Sequence, residues 1–348
     1  MEAVVNTAEE LVEIVLPGKV EPDGLEIRHG RVPAPGPGQV LVEMEATGVS
    51  CAEQQMRRGR YYDQPPFPFV PGYDLVGTVR ATGAGVPADL TGARVAALVK
   101  VGAWASHVLV DAADAVPVPD GIDPSDAETL VLNGVTAWQM LHRRARVRAG
   151  QTVLVHGANG GVGSILVQLA RAAGAHVIGT ASARHHDALR EQGVTPVDHR
   201  AGNVAARVRA LAPGGVDAVF DHVGGPGVVD SWKLLAPGGT LVSYGTASTR
   251  DAEGSARWPV LKLLGRLWLW NALPNRRRAC FFNVWAGRAL SRNRFRARLR
   301  ADLAAIFAAL ERGDVTPRIA ARYPLADVAE ALRLAESGTV AGKVLLNP

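Results

Sequence analysis

Between Gln151 and Gly174 the chain reads QTVLVHGANGGVGSILVQLARAAG. Thr152 to Val155 is a short apolar run with β-branched residues, as expected of a buried parallel strand. A glycine-rich turn follows. Ile165, Leu166, Leu169 and Ala173 then recur at helical spacing, and Gly174 suits a helix end. Strand, glycine turn and helix form the context in which a dinucleotide fingerprint works. Gly160 leaves out a Cβ where a pyrophosphate approaches backbone, and Gly163 lets the helix sit close to the strand. The helix N-terminus offers free N–H groups and partial positive charge. The expected cofactor residues here are Ala158, Asn159, Gly160, Gly161, Val162 and Gly163. The match is loose, because Ala158 stands where the first glycine belongs, so a tight turn that binds nothing is the alternative.

Around this stretch the 348 residues exceed one ordinary core and predict two domains. The first 126 residues read as β-rich: Val12 to Leu16, Leu25 to Arg28, Val40 to Met44, Asp74 to Val79, Arg94 to Leu98 and His107 to Val110 are short strands, broken by proline and glycine. A helix is predicted from about Asp126 to His142. After the fingerprint β and α alternate through Thr240–Tyr244, which implies a parallel sheet with right-handed crossovers. Ala279 to Trp285 reads as one more strand. Arg294 to Leu310 reads as a helix with Phe295, Leu299, Leu303 and Ile306 on one face.

The start carries early acids and no basic, apolar leader, and no run approaches the roughly 20 apolar residues of a membrane span. Cys51 and Cys280 lie far apart, outside any CxxC pattern. Both observations point to a reducing, cytoplasmic setting. The net charge of +5 is uneven. Gly254 to Ala301 holds eleven Arg, one Lys and no acid, leaving 26 cations against 33 acids elsewhere.

Six stretches carry a family resemblance: ATGVSCAEQQMRRGRYY, PGYDLVGTV, VLNGVTAWQML, HGANGGVGSILVQLA, DHVGG and the terminal AGKVLL. Together they resemble the zinc-free quinone-oxidoreductase branch of the medium-chain dehydrogenase/reductase superfamily. WLWNALPNRRR and FFNVWAG are similar to its vesicle amine transport protein-like subgroup. The resemblance implies an α/β fold in which a doubly wound Rossmann sheet, residues 127–291, is inserted into a GroES-like β-barrel domain, residues 1–126 plus 292–348.

Zinc-dependent members of that superfamily hold a metal where this chain has Ser50, Tyr73 and Asp74, and the four-cysteine structural lobe is missing. Zinc prefers thiolate and imidazole ligands, so no metal is expected. Cys51, one position past the first ligand site, reads as a pocket-wall residue or a functional thiol. NAD-preferring folds place an acid at the end of the second strand; here that position is Ala181. Ser182 and Arg184 offer donors for a 2′-phosphate, so NADPH is the expected cofactor, unless Arg184 merely begins a solvated helix.

Without a metal, a hydrogen-bond donor must stabilise the oxygen where charge develops. Tyr61 matches the tyrosine that zinc-free enoyl reductases carry in this loop; otherwise it only decorates a proline-rich segment. Ser50 and Gln55 are secondary donors, with Gln55 standing where related quinone reductases often carry tyrosine. Asn133 and Thr136 are expected beside the nicotinamide, and Tyr244 completes the cofactor set. The implied reaction is reduction of a quinone or α,β-unsaturated carbonyl in a cleft at the C-terminal edge of the sheet. A nucleotide-binding protein with little activity, devoted to a partner or membrane, is the other reading. The expected partners are the small-molecule substrate and a second copy of the chain, with no nucleic acid. Two copies are expected to pair along the strand Ala279–Trp285. The Trp-rich basic segment, Ser255 to Arg300, has the composition of an interfacial membrane helix, although a lid or subunit contact, the favoured reading, uses Trp as well.

Overall fold

The computed structural model describes residues 10–245 and 257–348. The extreme N-terminus and the first residues of the Trp-rich segment, Ser255 and Ala256, lie outside the described residues. The chain divides into two units, Met1–Leu132 with Ile319–Pro348, and Asn133–Arg318.

In the first unit a seven-stranded sheet runs in the order Ile319–Pro324, Lys343–Asn347, Gln39–Val49, Asp74–Thr82, Arg94–Leu98 and Val116–Pro117, and His107–Asp111 adds to Gln39–Val49. Glu10–Val15 and Glu26–Arg31 form a separate antiparallel pair. Alternation sets the faces of the long strand. Val40, Val42, Met44 and Ala46 are wholly buried, while Glu43 and Glu45 turn outward to Arg80 and Arg94. Each large apolar side chain buried this way contributes about 1.5–3 kcal/mol.

Two buried charge clusters pin the ends of this unit together. The Lys343 ammonium donates to Asp74 Oδ2 at 2.8 Å and Glu128 Oε1 at 2.7 Å. The Arg57 guanidinium, 3% exposed, is held by both Glu336 oxygens and by the Val20 carbonyl. Arg57 ends the short helix Cys51–Arg57, and Glu336 ends the helix Val328–Glu336.

The second unit is built on six parallel strands ordered Val194–Asp198, His176–Ala181, Thr152–Val155, Val216–Asp221, Leu235–Ser243 and Arg278–Phe281. Order turns at Thr152–Val155, the switch point of a doubly wound sheet. The last strand is shorter than Ala279–Trp285, stopping at Phe281, and it is the sheet's edge. The helix Arg292–Glu311 belongs to this unit, so the division falls at Arg318 rather than at residue 292, and at Leu132 rather than at 126. The reason lies in its contacts. Phe295 stacks on Trp285 at 5.7 Å, and buried Asp302 accepts from Gln139 and Arg143. Gln139 to Ala145 form a π-helical segment.

The helix Arg257–Asn271 has two apolar faces. Leu263 and Leu267 are buried in the sheet's core, and Trp270 stacks on Trp232 with ring centroids 4.9 Å apart. On the other face Trp258, Leu261, Leu264, Trp268 and Leu269 are exposed, Trp268 by 74%. The described residues leave that outer face exposed. Among the described residues no helix is long and apolar enough to cross a membrane.

Candidate active site

The glycine turn leaves the central strand Thr152–Val155 and enters the helix Gly161–Ala172. The Gly157 N–H donates to Thr180 Oγ1 at 3.1 Å, and the Ala158 N–H donates to the Thr180 carbonyl at 2.9 Å. These bonds tie the turn to the neighbouring strand. Gly157 has φ +66°, and a Cβ on Gly163 would lie 2.1 Å from the Gly157 carbonyl oxygen. The close helix-to-strand approach therefore requires Gly163. Gly160 differs: a Cβ there would meet only the Gly157 oxygen, at 3.4 Å. Nothing within the described protein demands a glycine at 160, so its missing side chain leaves space for a ligand. Gly160 caps the helix without a side-chain bond. Asn133 stands against the same helix start, 2.7 Å from where a Gly161 Cβ would be, and Thr136 is buried one turn later. Val162 is half-buried in the first helical turn.

Below the turn lies a cavity of about 640 Å³, lined by His156, Asn159, Ala181, His199, Asp221, His222 and neighbours. A polar chain crosses it. His156 bonds Thr180 Oγ1 at 3.3 Å through Nδ1 and Ser231 Oγ at 3.1 Å through Nε2. Ser231 Oγ donates to Asp221 Oδ2 at 2.7 Å. Asp221 Oδ1 accepts from the N–H groups of Val223 and Gly224. Since the serine proton goes to Asp221, His156 donates through Nε2. Burial holds the His156 and His222 imidazoles below the usual histidine range, with Asp221 opposing. His222 Nδ1 has no hydrogen-bond partner among the described residues. The Tyr244 ring lies 5.9 Å from His222, and its N–H donates to the Asp221 carbonyl. None of His156, Thr180, Asp221, His222 or Ser231 was singled out from sequence. The DHVGG stretch was the one available signal, since it ends the strand beside the turn.

Buried Ala181 ends the second strand without an acid. Ser182 is half-buried and Arg184 exposed on the one-turn segment that follows, with Arg184 Nε donating to His185 Nε2 at 3.1 Å. Arg318 acts on His185 as a second positive neighbour; this cation was not anticipated.

In the first unit, Tyr61 is 7% exposed and its hydroxyl lies 2.8 Å from that of Tyr73, itself 3% exposed. Burial, then the neighbouring phenols Tyr73 and Tyr62, push the Tyr61 hydroxyl well above the usual tyrosine range, so it remains a neutral donor. Ser50 is otherwise engaged. It caps the helix Cys51–Arg57, accepts from the Ala52 N–H and donates to Glu53 Oε2. Its one proton is directed at that carboxylate. Gln55 is half-buried on the same helix, and Cys51 is exposed at its start.

The positions matching a catalytic zinc site hold a poor ligand set. Ser50 is bonded to Glu53, Tyr73 to Tyr61, and Asp74 to an ammonium. With neither thiolate nor imidazole among them, these residues do not fit zinc.

Comparisons with known proteins bear on this geometry. Residues 36–120 match the alcohol dehydrogenase GroES-like domain, and residues 193–346 match the zinc-binding dehydrogenase model. The chain is 35% identical over 334 residues to the synaptic vesicle membrane protein VAT-1 homolog of Rattus norvegicus, covering 93% of this chain and 80% of that one. It is 34% identical to part of a mycocerosic acid synthase-like polyketide synthase of Mycobacterium tuberculosis, over 91% of this chain and 14% of that one. A mycobacterial protein solved in complex with NADPH superposes with a TM-score of 0.81 at 29% identity, covering 97% and 100% of the two chains.

Proposed function

Because the chain belongs to the medium-chain dehydrogenase/reductase superfamily of oxidoreductases, we propose that it is a zinc-free, NADPH-dependent reductase of quinones or α,β-unsaturated carbonyls. The observation that carries the reading is the open space at Gly160 above a helix start with no capping side chain. The residues present fit the dinucleotide. The N–H groups of Gly161 to Gly163, with Asn133 beside them, would hold the diphosphate. The cavity with the unpartnered His222 Nδ1 would take the adenosine. Ser182 and Arg184 would take the 2′-phosphate, and Thr136 and Tyr244 would line the remainder. A similar mycobacterial structure contains NADPH, and another is a mycobacterial quinone oxidoreductase.

The bound cofactor supplies a hydride to the substrate carbon. Negative charge then gathers on the substrate oxygen, and the Tyr61 hydroxyl donates a hydrogen bond to it. A buried, neutral phenol suits this task, because a donor fixed away from water needs no reorganisation as charge develops. For an enone, water then protonates the α-carbon of the enolate. The test is Tyr61→Phe assayed on an enone and quinone panel. A kcat lower by about 10²-fold on enones, with NADPH affinity intact, is the expected result; an unchanged rate removes Tyr61.

We also propose a homodimer, supported by the edge strand Arg278–Phe281 of the parallel sheet. A monomer at micromolar concentration by analytical ultracentrifugation would contradict it. The outer face of Arg257–Asn271 favours a second reading, attachment to an anionic membrane surface. Two exposed Trp and three exposed Leu flank Lys262 and Arg266, and a vesicle membrane protein is among the relatives. Co-sedimentation with anionic liposomes that is lost at high salt and in Trp268→Ser supports this reading; no binding at low salt ends it.

A further inference from the structure

We propose that Tyr73 is a positioning residue that holds and polarises the Tyr61 hydroxyl; the inference rests on the reading of Tyr61 as the donor to substrate.

The two phenols have different mechanical settings. Tyr61 lies in the irregular stretch between the helix Cys51–Arg57 and the strand Asp74–Thr82. Tyr73 directly precedes that strand and is anchored on both sides. Its carbonyl accepts from the N–H groups of Val99 at 2.9 Å and Lys100 at 3.2 Å. The next residue, Asp74, is fixed through its carbonyl by Thr47 Oγ1 at 2.6 Å. Its carboxylate is fixed by Lys343 and by the Leu132 N–H at 2.9 Å. A phenol on a rigid strand thus holds a phenol on a loop, 2.8 Å apart and out of water.

Two hydroxyls in one bond share one proton and leave the second available. When Tyr73 donates to Tyr61 Oη, the Tyr61 proton turns away from Tyr73, toward the neighbouring Tyr62 hydroxyl or a bound acceptor that replaces it, and the bond behind it strengthens the donor. Hydrogen bonds in series polarise one another, more so where water is excluded. The Tyr62 ring, with its centroid 4.8 Å from that of Tyr61, limits the ring's swing on the other side.

The experiment uses the full chain with NADPH and an enone, comparing Tyr61→Phe, Tyr73→Phe, the double variant, and 3,5-difluorotyrosine incorporated at position 73. Tyr73→Phe should lower kcat about tenfold, equivalent to about 1.4 kcal/mol, with NADPH Kd unchanged. The double variant should lose no more than Tyr61→Phe alone, because one phenol acts through the other. The difluoro phenol, a stronger donor of nearly the same shape, should keep or raise kcat below its own pKa and lose it above. An unaltered kcat in Tyr73→Phe while Tyr61→Phe is impaired overturns the inference and leaves Tyr61 as the donor. Losses that add in the double variant overturn it as well. No effect from Tyr61→Phe defeats the underlying reading instead. Should Tyr73→Phe fail to fold, the difluoro variant decides: a kcat–pH profile identical to the parent's overturns the proposal.

Discussion

Gly157 faces the His222 imidazole so closely that a Cβ on it would stand 2.4 Å from Cε1. The turn at the head of the central strand is therefore shaped by the end of the adjacent strand. Gly157→Ala adds this clash to the strain of φ +66°, so it should lower Tm by several degrees and weaken NADPH binding. Gly160→Ala meets only one atom, at 3.4 Å. It should keep the parent Tm and still weaken NADPH by about tenfold or more, on the scale of one lost charge-assisted contact. Thermal melts with fluorescence titration separate the two. Equal Tm losses would show that Gly160 serves the fold and not a ligand.

Arg184→Ala with Ser182→Ala should raise the NADPH KM by about tenfold or more, and leave the NADH KM within about twofold. The two donors would touch only the 2′-phosphate, and a charge-assisted bond contributes about 1.5–3 kcal/mol. Steady-state kinetics with both cofactors gives the answer. Parallel changes in the two KM values would move the 2′-phosphate elsewhere, with Arg318 the next cation to examine.

Lys343→Met should make stability acid-favoured. Burial, with Asp74 adding to it, already holds the Glu128 carboxyl well above the usual carboxylate range despite Lys343. Without the ammonium it rises further. A carboxyl whose folded pKa exceeds its unfolded value of about 4.3 binds its proton more tightly when folded. Its contribution is fully present below that value and fades as pH rises through the folded pKa. The variant should lose about 3–5 kcal/mol near neutrality, the typical cost of breaking a buried pair, and recover part of it near pH 5. Melts from pH 5 to 8 test this, and a loss independent of pH would show that the acids relax without taking up protons.

Burial holds the His156 and His222 imidazoles below the usual histidine range. Groups with depressed basicity stabilise the fold above the unfolded value of about 6.5 and stop doing so as pH falls below it. The parent should therefore lose Tm between pH 7.5 and 5.5. His156→Gln, which keeps a donor toward Ser231 and cannot take up a proton, should flatten that slope. An unchanged slope would assign the acid sensitivity to other groups.

Local pattern and residue type determined much of this protein. The run Val40 to Met44 after its proline and glycine breaks announced a short strand, and the apolar run before Gly157 announced a buried parallel one, because strands show in local residue type and punctuation. Gly163 was legible for the same reason, since a helix crossing a strand end needs the missing Cβ wherever the motif occurs. Length and alternation carried the division into two units, but not its edges: Arg292–Glu311 joined the second unit through Trp285, Gln139 and Arg143, partners that no local period reveals. The commitments of individual protons also belonged to tertiary structure. Ser50 gave its proton to Glu53 within a helix cap, and Tyr61 met a phenol twelve residues away. His156, Ser231 and Asp221 came together only when three segments met at one end of the sheet. The outer face of Arg257–Asn271 was decided the same way. Its apolar residues are spread around the helix, and only packing showed which of them, Leu263, Leu267 and Trp270, the core would take. A hydrogen bond or a buried contact depends on where two side chains end up in space, and sequence spacing fixes that only within one element.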